Sequence, residues 1–166
     1  MCGYWRNPEA TAKAIRDGWF HSGDIGEIVE GGRLKITDRK KDIIVLGNGK
    51  NVAPQPMENR MKESLYIADV MVIGDGMESC AALIIPEFER VKAYLAEQGE
   101  TVDSLEQAMA SPKLKALVKR EMDRINAAVA DFERVKRWEL IPTPFTIEGG
   151  ELTPSMKVRR RVVKDK

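Results

Sequence analysis

The sequence predicts an α+β fold: a small mixed sheet with flanking helices, preceded by a β-hairpin segment. Three observations predict it. Two alternating runs, "IGEIVE" and "RLKITD", meet at Gly31-Gly32, the pattern of two strands joined by a tight turn. "DVMVIGDGMESCAALIIP" reads as strand, turn, strand. Elsewhere apolar residues recur every three or four positions, the period of a helix face.

In chain order, "NPEATAKAI" predicts a short helix, with Asn7 as N-cap and Pro8 at the first helical position. The hairpin follows, with Gly31-Gly32 as a type I′ turn. "KDIIVLG" predicts a buried strand and "NGKN" a turn. From Pro54 the period changes, and Met57, Met61 and Leu65 share one helical face. The next two strands then form a small sheet covered on one face. "EFERVKAYLAEQG" places Phe88, Val91 and Leu95 on one stripe and ends at Gly99, a C′ residue. Ser111-Pro112 opens a long amphipathic helix whose stripe runs from Leu114 to Phe132 and packs on the sheet. "RWELIP" adds a short strand, with a Gly149-Gly150 turn and a basic tail beyond it.

Composition narrows the function classes. With 27 basic and 26 acidic side chains in 166 residues the net charge is +1, which argues against a general nucleic-acid or membrane-surface role. Six basic residues crowd the last ten positions, Lys157 to Lys166, and a solvated tail is the simplest reading of such a run. Cys2 and Cys80 give no disulfide framework, and Cys80 in "CAALIIP" reads as a buried, inert thiol. One histidine and no Cys-x-x-Cys pair leave no metal set. No apolar stretch reaches the ~20 residues of a membrane span, and the N-terminus lacks a signal peptide's apolar core. The expected location is cytoplasmic, with peripheral association with a membrane left open.

Three positions could carry chemistry. Asp24 sits in "SGDIG", where a carboxylate accepts hydrogen bonds from a vicinal diol such as a ribose. An Asx-turn that merely shapes the backbone is the simpler alternative for Asp24 alone. Arg39, in "TDRKKD", comes to the same side as Asp24 if the hairpin pairs them, and its planar guanidinium binds hydroxyls or phosphate. Its alternative is a surface salt bridge with Asp38 or Asp42. Lys157, in "ELTPSMKVRR", is a cation on a loop stiffened by Pro154. "GNGKN" lacks the spacing and hydroxyl of a phosphate-binding P-loop and reads alone as a turn.

Together and in this order the segments resemble motifs of the acyl-activating, AMP-forming synthetase superfamily. "GWFHSGD" resembles its nucleotide-ribose motif. "ITDRKKDIIVLGNGKNVAPQPMEN" resembles the segment joining its large and small domains, and "ELTPSMKVRRRVV" its terminal catalytic-lysine motif. The wording of "GYWRNPEATAKAIRDGWFHSGD" and "NGKNVAP" is most similar to bacterial long-chain fatty-acid–CoA ligases. The resemblance implies a fatty acid and ATP giving acyl-adenylate and pyrophosphate, after which coenzyme A displaces AMP. It implies that Asp24 and Arg39 bind nucleotide, Lys41 is the hinge of a mobile C-terminal domain, and Gly49 and Lys50 line the coenzyme A passage. Lys157 would be the catalytic lysine. Residues 1–37 would be the tail end of a large N-terminal domain and 38–166 the small mobile one.

The family's phosphate loop, adenine pocket, Mg2+ ligand and acyl tunnel have no counterpart among these residues, so a chain of this extent is expected to be inactive alone. Asn51 stands where many short-chain members have arginine, and Met156 where a glycine often precedes the lysine. Two alternatives stand beside this reading. One is a carrier-protein-dependent adenylating enzyme of the same superfamily; the other is a non-enzymatic α+β binding module.

Overall fold

Asn7 caps the first helix, α1 (Pro8–Ala14): its side-chain oxygen accepts from the Ala10 N–H at 2.9 Å, and Pro8 holds the first helical position. The structure, a computed structural model, describes residues 1–154 and 158–165. The chain forms two compact units, Met1–Asp42 and Ile43–Lys166.

In the first unit α1 is followed by two short antiparallel strands, β1 (Ile15–Arg16) and β2 (Trp19–Phe20). The expected hairpin comes next, β3 (Asp24–Val29) antiparallel to β4 (Arg33–Arg39). Its turn is longer than expected. Val29 pairs with Arg33 and the Gly32 N–H donates to the Val29 carbonyl, so Glu30 joins the two glycines in the loop. A register shift follows Ile25. There a Cβ on Gly26 would lie 2.8 Å from the Lys35 carbonyl oxygen, so only glycine fits.

The second unit starts with a two-residue pair, β5 (Ile44–Val45) and β6 (Asn51–Val52). The long buried strand expected over "KDIIVLG" is absent, for a hydrogen-bonding reason. The Val45 N–H goes to Asp75 Oδ1 (3.1 Å), the Gly47 N–H to the Met77 carbonyl (2.8 Å), and the Val45 carbonyl accepts from Gly76 (2.9 Å). A turn has taken the groups that a ladder would use. Helix α2 (Pro54–Met61) buries Met57 and Met61, but Leu65 is exposed. The Glu63 and Ser64 N–H groups bond three residues back, to Arg60 and Met61, which tightens the last turn and ends the face early.

A three-stranded mixed sheet forms the centre. Strand β8 (Cys80–Pro86) lies between β7 (Ile67–Ile73), antiparallel, and β9 (Val135–Leu140), parallel. Parallel neighbours need a crossover, and here it contains α3 (Phe88–Glu97), α4 (Leu105–Ala110) and α5 (Pro112–Asn126). Val70, Val72, Ala82 and Ile84 bury one face of the sheet; Met71, Ala81 and Ile85, which alternate with them, are buried too. Both faces are therefore covered, not one. Cys80 is fully buried as expected, and burial pushes its thiol pKa up, with Glu133 adding to the effect.

Helix α3 buries Val91 and Leu95 and ends as predicted at Gly99. The Glu100 N–H reaches the Leu95 carbonyl and the Gly99 N–H that of Ala96, the paired bonds of a Schellman motif. Helix α4 was not anticipated, although Ser104 caps it from three residues before Gln107. Ser111 caps α5, which buries Leu114, Leu117, Val118, Met122 and Ile125. The helix stops short of Phe132 because the Asn126 amide pairs with Val135, donating to its carbonyl and accepting its N–H, both at 2.9 Å. Val129 and Phe132 still pack on the core from beyond the helix. The last element is α6 (Arg160–Asp165).

Candidate functional site

Asp24 opens β3 and Arg39 closes β4, and the antiparallel register sets them directly opposite each other. Arg39 Nε lies 2.9 Å from Asp24 Oδ1. The neighbourhood is fixed by backbone bonds: the Asp24 N–H donates to Ser22 Oγ (3.1 Å) and the Lys40 N–H to the Gly23 carbonyl (2.8 Å). The guanidinium pairs with neither Asp38 nor Asp42, the partners weighed from sequence. Asp38 instead is buried, and its Oδ1 accepts the Arg39 backbone N–H at 2.6 Å. An ion pair as open as Asp24–Arg39 stabilises a hairpin by at most about 1 kcal/mol. What it does provide is an acceptor-only carboxylate beside a planar cation with five donors, a combination suited to a diol and a phosphate.

Lys41 is exposed and lies in the turn closed by the Asp42 N–H on the Arg39 carbonyl (2.9 Å), one residue before the end of the first unit.

In the second unit Gly49 sits in the turn between β5 and β6 at φ +79°. Among the described residues no heavy atom beyond Gly49 and its two chain neighbours lies within 4 Å of where its Cβ would be. Open space and a left-handed backbone leave room for close approach of a ligand. The next residue, Lys50, holds its ammonium 4.8 Å from the Phe132 ring centroid. It lines a cleft of ≈ 270 Å³ with Asn48, Glu78, Ser79, Phe132 and Lys136. Gly49 and Lys50 are thus placed together at an open surface.

Lys157 lies outside the described residues. The backbone on either side of it is held. Leu152 and Val158 form an antiparallel bridge, and the Arg159 N–H donates to the Glu151 carbonyl at 2.6 Å. Arg160 does not belong to a solvated tail. One of its Nη nitrogens, Nη2, lies 2.6 Å from both carboxylate oxygens of Glu58, and the other, Nη1, donates to the Val72 carbonyl at 2.7 Å. Glu58 also accepts the Val72 N–H at 2.7 Å. Burial pushes the Glu58 carboxyl pKa up, while the Arg160 charge, its hydrogen bonds and the Val72 N–H pull it partly back. Sequence reading missed this pair. Its one signal was a glutamate inside the Met57–Met61 stripe, a place where a charge is kept only if paired.

Among the described residues no group of three or more His, Cys, Asp or Glu side chains could hold a metal ion, and no helix is long and apolar enough to cross a membrane.

Comparison with known proteins adds three findings. A family model described as the AMP-binding enzyme C-terminal domain matches residues 41–166. A long-chain-fatty-acid–CoA ligase of Mycobacterium tuberculosis is 39% identical over 165 residues, covering 99% of this chain and 28% of its own length. A peroxisomal long chain acyl-CoA synthetase of Arabidopsis thaliana is 37% identical over 162 residues, covering 95% of this chain and 23% of its own. The chain therefore spans about a quarter of the length of these relatives. Among solved structures, the adenylation domain of a carboxylate reductase from Mycobacterium chelonae superposes with a TM-score of 0.79 at 25% identity, over 98% of this chain and 24% of that one. The adenylation–carrier didomain of a carboxylic acid reductase from Segniliparus rugosus shares the fold, with a TM-score of 0.76 at 24% identity, over 99% of this chain and 22% of that one.

Proposed function

The chain belongs to the AMP-binding enzyme C-terminal domain family, and on that footing we propose that it is the C-terminal part of an AMP-forming long-chain fatty-acid–CoA ligase. The reaction joins fatty acid, ATP and coenzyme A into acyl-CoA, AMP and pyrophosphate. The observation that carries this reading is the extent of the likeness. It runs through both units to relatives named as long-chain ligases, at 37–39% identity, while the reductases stand at 24–25%.

In this reading each residue has a task. Asp24 accepts from the ribose hydroxyls, and Arg39 beside it takes the same nucleotide. The fatty-acid carboxylate attacks the α-phosphorus, pyrophosphate leaves, and Lys157 offsets the charge that shifts between carboxylate and phosphate. A preorganised cation of this kind contributes on the order of 10²–10³ in rate. The coenzyme A thiol then attacks the acyl carbonyl and AMP departs, with the pantetheine arm passing Gly49 and Lys50. Lys41 is the hinge at which the small domain, residues 38–166, turns between the two steps, while residues 1–37 belong with a large N-terminal domain. The described residues do not fit a magnesium site, and no step is assigned to one. The proposed location is cytoplasmic.

The test is made on the longer protein. Fatty-acid-dependent exchange of pyrophosphate into ATP, followed by AMP release that requires coenzyme A, is the expected result. Exchange with AMP release only on a phosphopantetheine-bearing carrier protein would move the assignment to a carrier-dependent enzyme. No exchange at all would leave a binding module.

A further inference from the structure

We propose that Glu58 and Arg160 form a buried latch that positions the segment carrying Lys157, so that both act in adenylation through that lysine without touching substrate. The proposal rests on the reading of Lys157 given above.

The latch closes an open edge. Strand β7 lies at the side of the three-stranded sheet, β7-β8-β9, and the backbone groups of an edge strand lack a neighbouring ladder. At Val72 two side chains supply one. Glu58 accepts the N–H and Arg160 donates to the carbonyl, each at 2.7 Å, while Arg160 Nη2 bonds both Glu58 oxygens at 2.6 Å. Two neighbouring elements, α2 and β7, are joined at this one point to the distant α6. The Glu58 and Arg160 side chains are only 6% and 16% exposed. A pair so enclosed is a weak source of stability by itself, but breaking it leaves a buried charge uncompensated. In this chain the pair is assigned to the arrangement it imposes.

That arrangement concerns Lys157. Its next residue, Val158, bridges to Leu152, Arg159 is bonded to Glu151, and Arg160 is held in the sheet edge. The chain leaving Lys157 is therefore pinned at three successive residues. A planar fork suits the task, since three short bonds in fixed directions orient as well as hold. A lysine at 160 would keep the charge and lose the directions.

The experiment is a double-mutant cycle in the longer ligase, comparing wild type, Arg160→Lys, Lys157→Ala and the double variant. Adenylation is read by pyrophosphate exchange, and thioester formation from ready-made acyl-adenylate and coenzyme A. Arg160→Lys is expected to slow adenylation about tenfold or more, the scale on which small misplacements act. It should change thioester formation less than about twofold, since a misplaced lysine affects only the step it serves. In the Lys157→Ala background it should cost less than about twofold further, because residues acting through one another do not add. Glu58→Gln, which keeps the shape, should give the same pattern at smaller size. Losses that multiply across the cycle, or no loss with either variant, would overturn the latch. So would equal loss in both half-reactions, because the pair would then serve the fold as a whole. If Lys157→Ala alone leaves adenylation unchanged, the role of the lysine fails, and the latch fails with it. That outcome differs from a normal lysine effect combined with multiplying losses.

Discussion

The two units have comparable strands and opposite interiors. Among residues 1–42 only Asp38 is buried, while Trp5 is 87% exposed, Ile28 79% and Leu34 68%. Between Ile44 and Leu140 the second unit buries a continuous apolar core. The difference lies in what covers the strands. The hairpin of the first unit has an apolar face, with Ile28 opposite Leu34 and Ile36 two positions further along β4, and that face stays exposed although α1 belongs to the same unit. The second unit interposes three helices between β8 and β9 and brings α2 against β7. Strand propensity makes hairpins, but burial is what stabilises them.

This contrast should be largest in hydrogen exchange on the isolated chain. Amides of Val70, Ala82 and Ile84 should exchange roughly 10³-fold more slowly, or slower still, than those of Ile28 and Leu34, since core strands open only globally. Equal protection in a monomer would show that the first unit finds a core of its own. Mutation should divide the units more gently. Leu117→Ala, in the core, should cost about 2–5 kcal/mol by urea denaturation, whereas Ile28→Ala should change the isolated chain's stability by less than about 0.5 kcal/mol. Similar costs at both positions would erase the distinction.

Most elements were legible because local signals and tertiary packing agree in them. Asn7, Ser111 and Gly99 set helix ends that sequence chemistry alone specifies. The misses fall where a distant partner decides. "KDIIVLG" has the composition of a strand, yet the turn at Asp75–Met77 takes its hydrogen bonds. The stripe from Leu114 to Phe132 keeps helical spacing, yet Asn126 leaves the helix to pair with Val135. Helix α4 was overlooked although its cap was visible at Ser104. In the candidate site, Asp24 and Arg39 could be paired from the hairpin alone, because fourteen intervening residues and one turn fix the register. Glu58 and Arg160 could not be paired in that way, since their meeting depends on how α6 returns to the sheet edge.

The two ion pairs differ in the same way. Asp24–Arg39 is open to solvent and Glu58–Arg160 is enclosed, and the enclosed pair should couple to pH. The Glu58 pKa is raised from its ordinary value of 4.5 in the folded state, chiefly by burial. A raised folded pKa means that the native state binds the proton more tightly than the unfolded chain. The associated stability is then fully present below pH 4.5 and is lost as the pH rises through the folded value. Measured against Glu58→Gln in urea titrations across this range, wild type should lose relative stability as the pH increases. A relative stability that grows with pH would show that the pull of Arg160 outweighs burial.

The proposed turning of the small domain, residues 38–166, at Lys41 between the two half-reactions is probed by Lys41→Pro in the longer enzyme. Proline fixes φ near −65° and favours whichever orientation tolerates that angle. Adenylation is measured by pyrophosphate exchange, and thioester formation from ready-made acyl-adenylate. Clearly unequal losses are expected, with one half-reaction impaired and the other largely kept. Equal losses in the two would contradict it and place the pivot elsewhere, with Lys40 the next position to examine.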